Sequence, residues 1–251
     1  MPPGTGTRKR SARMRRLLLA LAFLCLASPG WADVAFDAYT SELGGDGAFD
    51  HTPAGTPRAV IIFVHTGGTQ TTTAVTYGGV SLTQVEYFET VNAENNFDLS
   101  LWFLGSSIPT ETQSIVTTTS AGSPNVVCYT LTASADTVIE NTDITIDITI
   151  GANPSVSLGL SGNTSWVAMS FLSGLPNVSQ VTPLTNWTSR DEVDEGAYVD
   201  GFYSYDTIGS TDVTCGYTAP APDNAALLCV AVTEGAVADA PNQLMLMGVG
   251  D

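Results

Sequence analysis

The sequence predicts an all-β fold, an antiparallel two-sheet β-sandwich or jelly roll of about ten strands, and three observations predict it. Beyond residue 32 the apolar stretches are short, often alternating, and rich in Val, Ile, Thr and aromatic residues. They are broken every ~8–15 residues by Gly, Pro, Asn or Ser, which is the punctuation of strands and turns. No window sustains the 3.6-residue apolar period of an amphipathic helix.

The elements follow in chain order. Arg8, Lys9, Arg10, Arg13, Arg15 and Arg16 precede the apolar run Leu17 to Leu26, and Gly30-Trp31-Ala32 closes it. This is the tripartite plan of a secretory signal peptide over residues 1–32, with cleavage before Asp33, and its apolar run is too short to span a bilayer. Residues 33–251 then read as a single sandwich domain with no evident linker and no fixed-period repeat.

Ala59 to His65 and Ala225 to Thr233 are nearly continuous apolar runs, expected as central strands covered on both faces. Ala74 to Thr76 and Val80 to Thr83 read as two short strands around Tyr77-Gly78-Gly79. Glu86 to Asn96 is expected as a helical turn or long loop. Further strands are expected at Leu99 to Leu104, Gln113 to Thr118, Val126 to Thr132, Trp166 to Leu172, Tyr198 to Tyr205 and Asp212 to Tyr217. In Ile144 to Ile150 the isoleucines alternate with Thr and Asp, so one face packs while the other is wet. The segment from Ala236 to Asp251 reads as a final strand or as a docking segment.

Charge excludes whole classes of partner. The chain carries 8 basic and 25 acidic residues, net −17. Six of the basic residues lie in the leader, which leaves Arg58 and Arg190 against all 25 acids, a net of −23 without a single lysine. Such a surface repels nucleic-acid phosphates and anionic membranes, so neither is expected as a partner, and no membrane insertion is expected after the leader is removed. Cys128, Cys215 and Cys229 lack zinc-site spacing; they read as buried free thiols, with one disulfide as the rival reading.

Val75-Thr76-Tyr77-Gly78-Gly79-Val80-Ser81-Leu82-Thr83, Leu99-Ser100-Leu101-Trp102-Phe103-Leu104 with Ile108-Pro109-Thr110, Ala168-Met169-Ser170-Phe171-Leu172-Ser173-Gly174 and Thr182-Pro183-Leu184 together resemble β-sandwich domains of bacteriophage virion proteins and of uncharacterised, often marine, bacterial proteins. The resemblance implies a concanavalin-like or jelly-roll sandwich with a structural or adhesive role, not an enzyme. It transfers no catalytic residue, because the shared motifs are turn glycines and core aromatics.

Chemistry-bearing patterns are few. Ile61 to Gly68 ends in His65-Thr66-Gly67-Gly68, like the oxyanion loop of an α/β-hydrolase, but no G-x-S-x-G elbow and no late histidine accompany it. His65 is therefore assigned a structural role, capping a strand or facing solvent. Asp191, Glu192, Asp194 and Glu195 cluster, with Asp200 and Asp206 following, and read first as a solvated loop. If the loop is functional, Asp191, Asp194 and Glu195 would supply hard oxygen ligands for calcium; no other cofactor is expected. Trp187, Tyr203 and Tyr205 are the candidate ligand platform, on which sugar rings would stack; the competing reading places these aromatics in the core. Trp102 and Trp166 read as core. Sequons at Asn163, Asn177 and Asn186 mark polar loops.

The expected function is a non-enzymatic structural or adhesive module, exported and displayed on a virion or cell surface. Its expected partners are copies of itself, other structural proteins, or glycans. The alternative is a lectin-like carbohydrate-binding module that uses calcium, and a secreted hydrolase ranks third.

Overall fold

Nine consecutive residues from Ala59 to Gly67 form β3, and the first eight are buried. A strand can be apolar along its whole length only if both of its faces are covered, and this one is sandwiched between two layers. The computed structural model describes residues 34–67, 70–90, 97–147, 153–160, 166–173, 181–194, 199–205, 212–218 and 225–235. The leader region and the segment 236–251 lie outside the described residues.

Among the described residues, seventeen strands, rather than about ten, make up four antiparallel sheets, and none is helical. The first inner sheet has the order β1 (Ala35–Glu42), β9 (Asn125–Thr132), β3 (Ala59–Gly67), β7 (Phe97–Leu104), β6 (Thr83–Thr90). The first outer sheet runs β2 (Ala48–His51), β8 (Gln113–Thr119), β4 (Thr72–Tyr77), β5 (Val80–Ser81). The second inner sheet runs β10 (Thr137–Asp147), β17 (Ala225–Glu234), β12 (Trp166–Ser173), β15 (Val199–Tyr205), β14 (Thr188–Asp194). The second outer sheet runs β11 (Ser155–Gly159), β16 (Asp212–Thr218), β13 (Thr182–Pro183).

These orders contain a duplication. Without the two-residue β5, strands β1 to β9 put their first, eighth, third, sixth and fifth members in the inner sheet and their second, seventh and fourth in the outer one. Strands β10 to β17 do the same. Corresponding strands begin at Ala35 and Thr137, Ala59 and Trp166, and Gln113 and Asp212, so the spacing drifts and no fixed-period repeat marks the sequence.

The side-chain alternation of each strand sends alternate residues to different layers. Ile61 and Phe63 of β3 join Trp166, Ala168, Phe202, Leu228 and Val230 between the two inner sheets. Val60, Ile62 and Val64 of the same strand pack with Val75, Tyr77 and Ile115 of the first outer sheet. Met169, Phe171, Tyr203 and Cys229 do likewise against Val213, Cys215 and Tyr217 of the second. At ~1.5–3 kcal/mol for each fully buried large aliphatic or aromatic side chain, these three layers supply the driving force for the stack. Gly201 belongs to this packing, since a Cβ there would lie 2.3 Å from the Phe171 ring.

Four contacts define how the inner sheets face one another. Ser41 of β1 bonds Asp191 of β14, Asn125 of β9 bonds Asp200 of β15, His65 of β3 bonds Ser170 of β12, and Glu86 of β6 bonds Thr142 of β10. The second sheet is thus laid over the first in reversed order, with the third strand of one half over the third strand of the other.

Several expectations are corrected here. Glu86–Thr90 belongs to strand β6, and 91–96 lies outside the described residues. Asp191–Asp194 lies in β14, an edge strand paired with β15, rather than in a solvated loop. Cys215 and Cys229 form a disulfide with Cα atoms 6.3 Å apart, tying β16 to β17, and among the described residues only Cys128 is a free, buried thiol. Burial raises that thiol's pKa well above its ordinary range, so it behaves as an apolar core residue. The Gly78-Gly79 turn is as expected: both residues have positive φ, 58° and 78°, and close the β4–β5 hairpin in the conformation that glycine adopts without strain. Trp102 and Trp166 are buried, also as expected.

Candidate functional site

Two concave sites are built from described residues. The first lies at the ends of the inner sheets where β3 and β12 finish and β9 and β15 begin. Residues Ile61, Phe63 and His65 alternate onto the inner face of β3, so the period that buries the first two also buries the imidazole. Opposite it, Ser170 of β12 and Asp200 of β15 occupy positions that period two would otherwise fill with apolar residues. His65 Nε2 lies 2.5 Å from Ser170 Oγ, and His65 Nδ1 lies 3.2 Å from Asp200 Oδ2. Asn125 Nδ2 donates to that same Oδ2 at 2.6 Å, while its Oδ1 accepts the Gly44 N–H at 2.6 Å. The ring of His65 packs on Phe202 with centroids 4.8 Å apart.

This corrects the sequence assignment of His65, which neither caps a strand nor faces solvent: it is 2% exposed. Ser170, His65 and Asp200 also form the set that a serine hydrolase uses, so the rest of the geometry decides their role. A working triad exposes the serine and hides the carboxylate. Here both Ser170 and Asp200 are fully buried, and Asp200, His65, Asn125, Gly44, Thr66 and Gly67 line a cavity of about 220 Å³. A carboxylate can only accept, so a hydrogen bond between His65 and Asp200 would run from Nδ1, while Nε2 faces the Ser170 hydroxyl. The Nδ1–H points off the line to Oδ2, and Asp200 Oδ1 has no hydrogen-bond partner. Ser170, Asp200 and Asn125 were not singled out as a site in the sequence. The available signal was a charged residue in the otherwise apolar Val199-Asp200-Gly201-Phe202.

The second site is the aromatic one. Leu184, Asn186 with φ 76°, and Trp187 form a turn, in which the Trp187 N–H bonds the Leu184 carbonyl at 3.4 Å. The turn brings Trp187 beside Tyr205, with ring centroids 5.5 Å apart and planes at 50°. Together with Leu184, Thr185, Asp212, Val213 and Thr214 they line a groove of about 300 Å³. Trp187 Nε1 donates to the Thr214 carbonyl at 3.2 Å, which fixes the indole, and Asn186 Nδ2 reaches the Tyr205 hydroxyl at 3.2 Å. Tyr203 does not join them. It is fully buried, stacked on Phe171, and its hydroxyl bonds Glu192, so its phenol pKa lies far above the usual range, chiefly through burial.

The acidic candidates do not converge among the described residues. Asp191 accepts from Ser41 across the inner layers, whereas Glu192 accepts from Tyr203 and from Ser189 on the opposite face of β14. The backbone of Asp194 pairs with Val199, and the side chain of Asp194 and all of Glu195 lie outside the described residues. The sequons at Asn163 and Asn177 also lie outside them, whereas Asn186 sits exposed in its turn.

The chain matches no family model, no curated protein and no solved structure.

Proposed function

We propose that this chain is an exported, non-enzymatic adhesive module, displayed on a virion or cell surface, that binds carbohydrate in the Trp187–Tyr205 groove. The observation that carries this reading is the groove itself. An indole pinned by its own N–H and a phenol ring converge beside one carboxylate, Asp212, and the polar residues Thr185 and Thr214. Apolar ring faces beside a few directed polar groups suit a pyranose, whose C–H face stacks while its hydroxyls hydrogen-bond. A volume of about 300 Å³ is at the small end for ligand pockets and fits one ring rather than a long chain.

The fold gives the reading a scaffold. In each half, first, last, third and sixth strands share one sheet and second, seventh and fourth the other, which is jelly-roll order with the fifth strand moved across to the inner sheet. Two such halves, stacked through their inner sheets, make one compact unit. The Cys215–Cys229 disulfide and the leader-like residues 1–32 both favour an oxidising, extracytoplasmic setting. The acidity of the chain beyond the leader keeps such a module soluble.

The test is a glycan array probed with the full chain, with and without calcium, followed by titration of any glycan that binds. Tyr205→Ser and Asp212→Asn are expected to weaken binding at least tenfold while leaving the unfolding midpoint within a few degrees of the parent. Absence of any glycan signal under both conditions would sink the proposal, and so would binding that survives both substitutions.

A further inference from the structure

The chain buries a carboxylate that neither arginine beyond the leader meets: the basic group beside it is the His65 imidazole, with Nδ1 3.2 Å from Oδ2. Asp200 is fully buried, its Oδ2 takes one hydrogen bond from Asn125, and its Oδ1 has no partner although the residue lines the cavity at the ends of the inner sheets. A buried carboxylate normally has a partner that offsets its lost hydration. Beyond the leader the lysine and arginine side chains number two, and both are committed elsewhere. Arg58 pairs with Asp136 at 3.6 Å, and Arg190 stands 3.7 Å over the Phe36 ring while its Nε bonds Ser204.

We infer that this cavity is a binding site for a small organic ammonium group, which Asp200 Oδ1 accepts as a hydrogen-bonded ion pair. The remaining lining fits that guest. Thr66 and Ser123 carry hydroxyls, and Gly44 and Gly67 leave room against the backbone. The space of about 220 Å³ exceeds the ~30 Å³ share of a single water several times over, so it admits an amine with a short carbon chain. A metal ion suits the same residues poorly. The site offers one carboxylate, an imidazole whose Nε2 is already taken by Ser170, and an amide whose oxygen is taken by Gly44. No group of three or more acidic, histidine or cysteine ligands occurs among the described residues.

The position of the cavity gives binding a structural consequence. His65 and Asn125 come from the first half of the chain, and Ser170 and Asp200 from the second, so a bound ammonium adds a polar contact where the two halves meet. This site is separate from the Trp187–Tyr205 groove and does not depend on the glycan reading.

The experiment titrates the full chain with methylammonium chloride, with α-blocked lysine (acetyl-lysine methylamide), and with sodium chloride, calcium chloride and tetramethylammonium chloride as controls at matched ionic strength. Calorimetry and the unfolding midpoint are the readouts. Methylammonium is expected to bind saturably and raise the midpoint, and tetramethylammonium, which has no N–H, to do neither. A response to blocked lysine stronger than to methylammonium assigns the natural source of the ammonium to a peptide, and the reverse assigns it to a free amine. Asp200→Asn, which keeps the shape and the bond from Asn125, is expected to weaken methylammonium binding at least tenfold. Amide NMR of the unaltered protein gives a readout that does not require the variant to fold: methylammonium should shift the Gly44 and Gly67 signals and leave Thr214 in place. Binding that is equal in Asp200→Asn, that tetramethylammonium or calcium reproduces, or that leaves Gly44 and Gly67 unmoved would overturn the inference, as would no binding at all.

Discussion

Asp98→Asn should stabilise this protein at neutral and alkaline pH and do almost nothing in acid. Asp98 is the second residue of β7, 2% exposed, and it accepts a hydrogen bond from the Tyr87 hydroxyl at 3.1 Å while its Oδ1 has no partner. Burial, opposed by hydrogen bonding to Tyr87 and Thr71 and reinforced by the nearby Glu89 charge, pushes its carboxyl from 3.8 up to about 6. The folded state therefore holds this proton more tightly than the unfolded chain does. The stability linked to it is fully present below pH 3.8 and is lost as pH rises through about 6. At ~1.4 kcal/mol for each factor of ten in proton affinity, the span corresponds to about 3 kcal/mol. Asparagine retains an oxygen for Tyr87 and removes the charge. Urea unfolding followed by tryptophan fluorescence, on parent and variant at pH 4 and pH 8, measures the difference directly. The variant should gain about 2–3 kcal/mol at pH 8 and little at pH 4. A gain or loss that is the same at both pH values would refute the argument, because it would mean that the charge of Asp98 is not what burial penalises.

Two further outcomes follow from the same structure. His51 is fully buried, its ring nitrogens lie 3.0 and 3.1 Å from the hydroxyls of Thr40 and Thr130, and burial lowers its pKa from 6.5 to about 4. Its stabilising contribution is complete above pH 6.5 and fades as pH falls through 4, so His51→Gln should reduce the acid sensitivity of Asp98→Asn by about 3 kcal/mol between pH 7.5 and pH 4; an unchanged acid limb in the double variant would count against it. Replacing both Cys215 and Cys229 by alanine opens a link across a sequence separation of 14 and should cost ~3 kcal/mol in urea, an effect that a reductant on the parent protein should reproduce. A parent midpoint indifferent to reductant would contradict it.

His51 and Asp98 also explain why strand grammar is easier to read than layer number. Their shifts have opposite signs over nearly the same pH interval, so in the parent the two largely cancel. Both are polar residues at strand positions that are covered on a face a two-layer sandwich would leave wet. The sequence shows that Ala59 to His65 and Ala225 to Thr233 are buried on both faces, and these are β3 and β17 in the inner sheets. What alternation does not reveal is the second covering layer. Strand β8, Gln113–Thr119, buries only Ile115 and Thr117 because it belongs to an outer sheet, and it reads much like a strand of any two-layer sandwich. The duplication is hidden for a different reason. It resides in the strand order, while the loops between corresponding strands differ in length, so no fixed period survives for a sequence comparison to detect.

The candidate sites were legible in proportion to how local they are. Trp187 and Tyr205 lie close in sequence, and the turn at Asn186 brings their rings together, while the indole itself is buried in the second outer layer, as the competing core reading expects. Tyr203 was grouped with them because it is near in sequence, yet it occupies a core position against Phe171, where a ligand has no access. The Asp200 cavity is the opposite case. Its residues Gly44, His65, Asn125, Ser170 and Asp200 are drawn from both halves of the chain, and only the reversed stacking of the inner sheets brings them together. The hydrolase comparison for His65 failed because it looked for one motif in one chain order, whereas the partners that matter for a buried imidazole are whichever groups face it across the layers. Asp200 did carry a signal of its own: a carboxylate placed among Val199, Gly201 and Phe202 in a strand buried on both faces costs stability unless something offsets it. The chain supplies one amide and one imidazole, both at Oδ2, and leaves Oδ1 without a partner, and that unmet oxygen is the physical reason to look for a donor outside the protein.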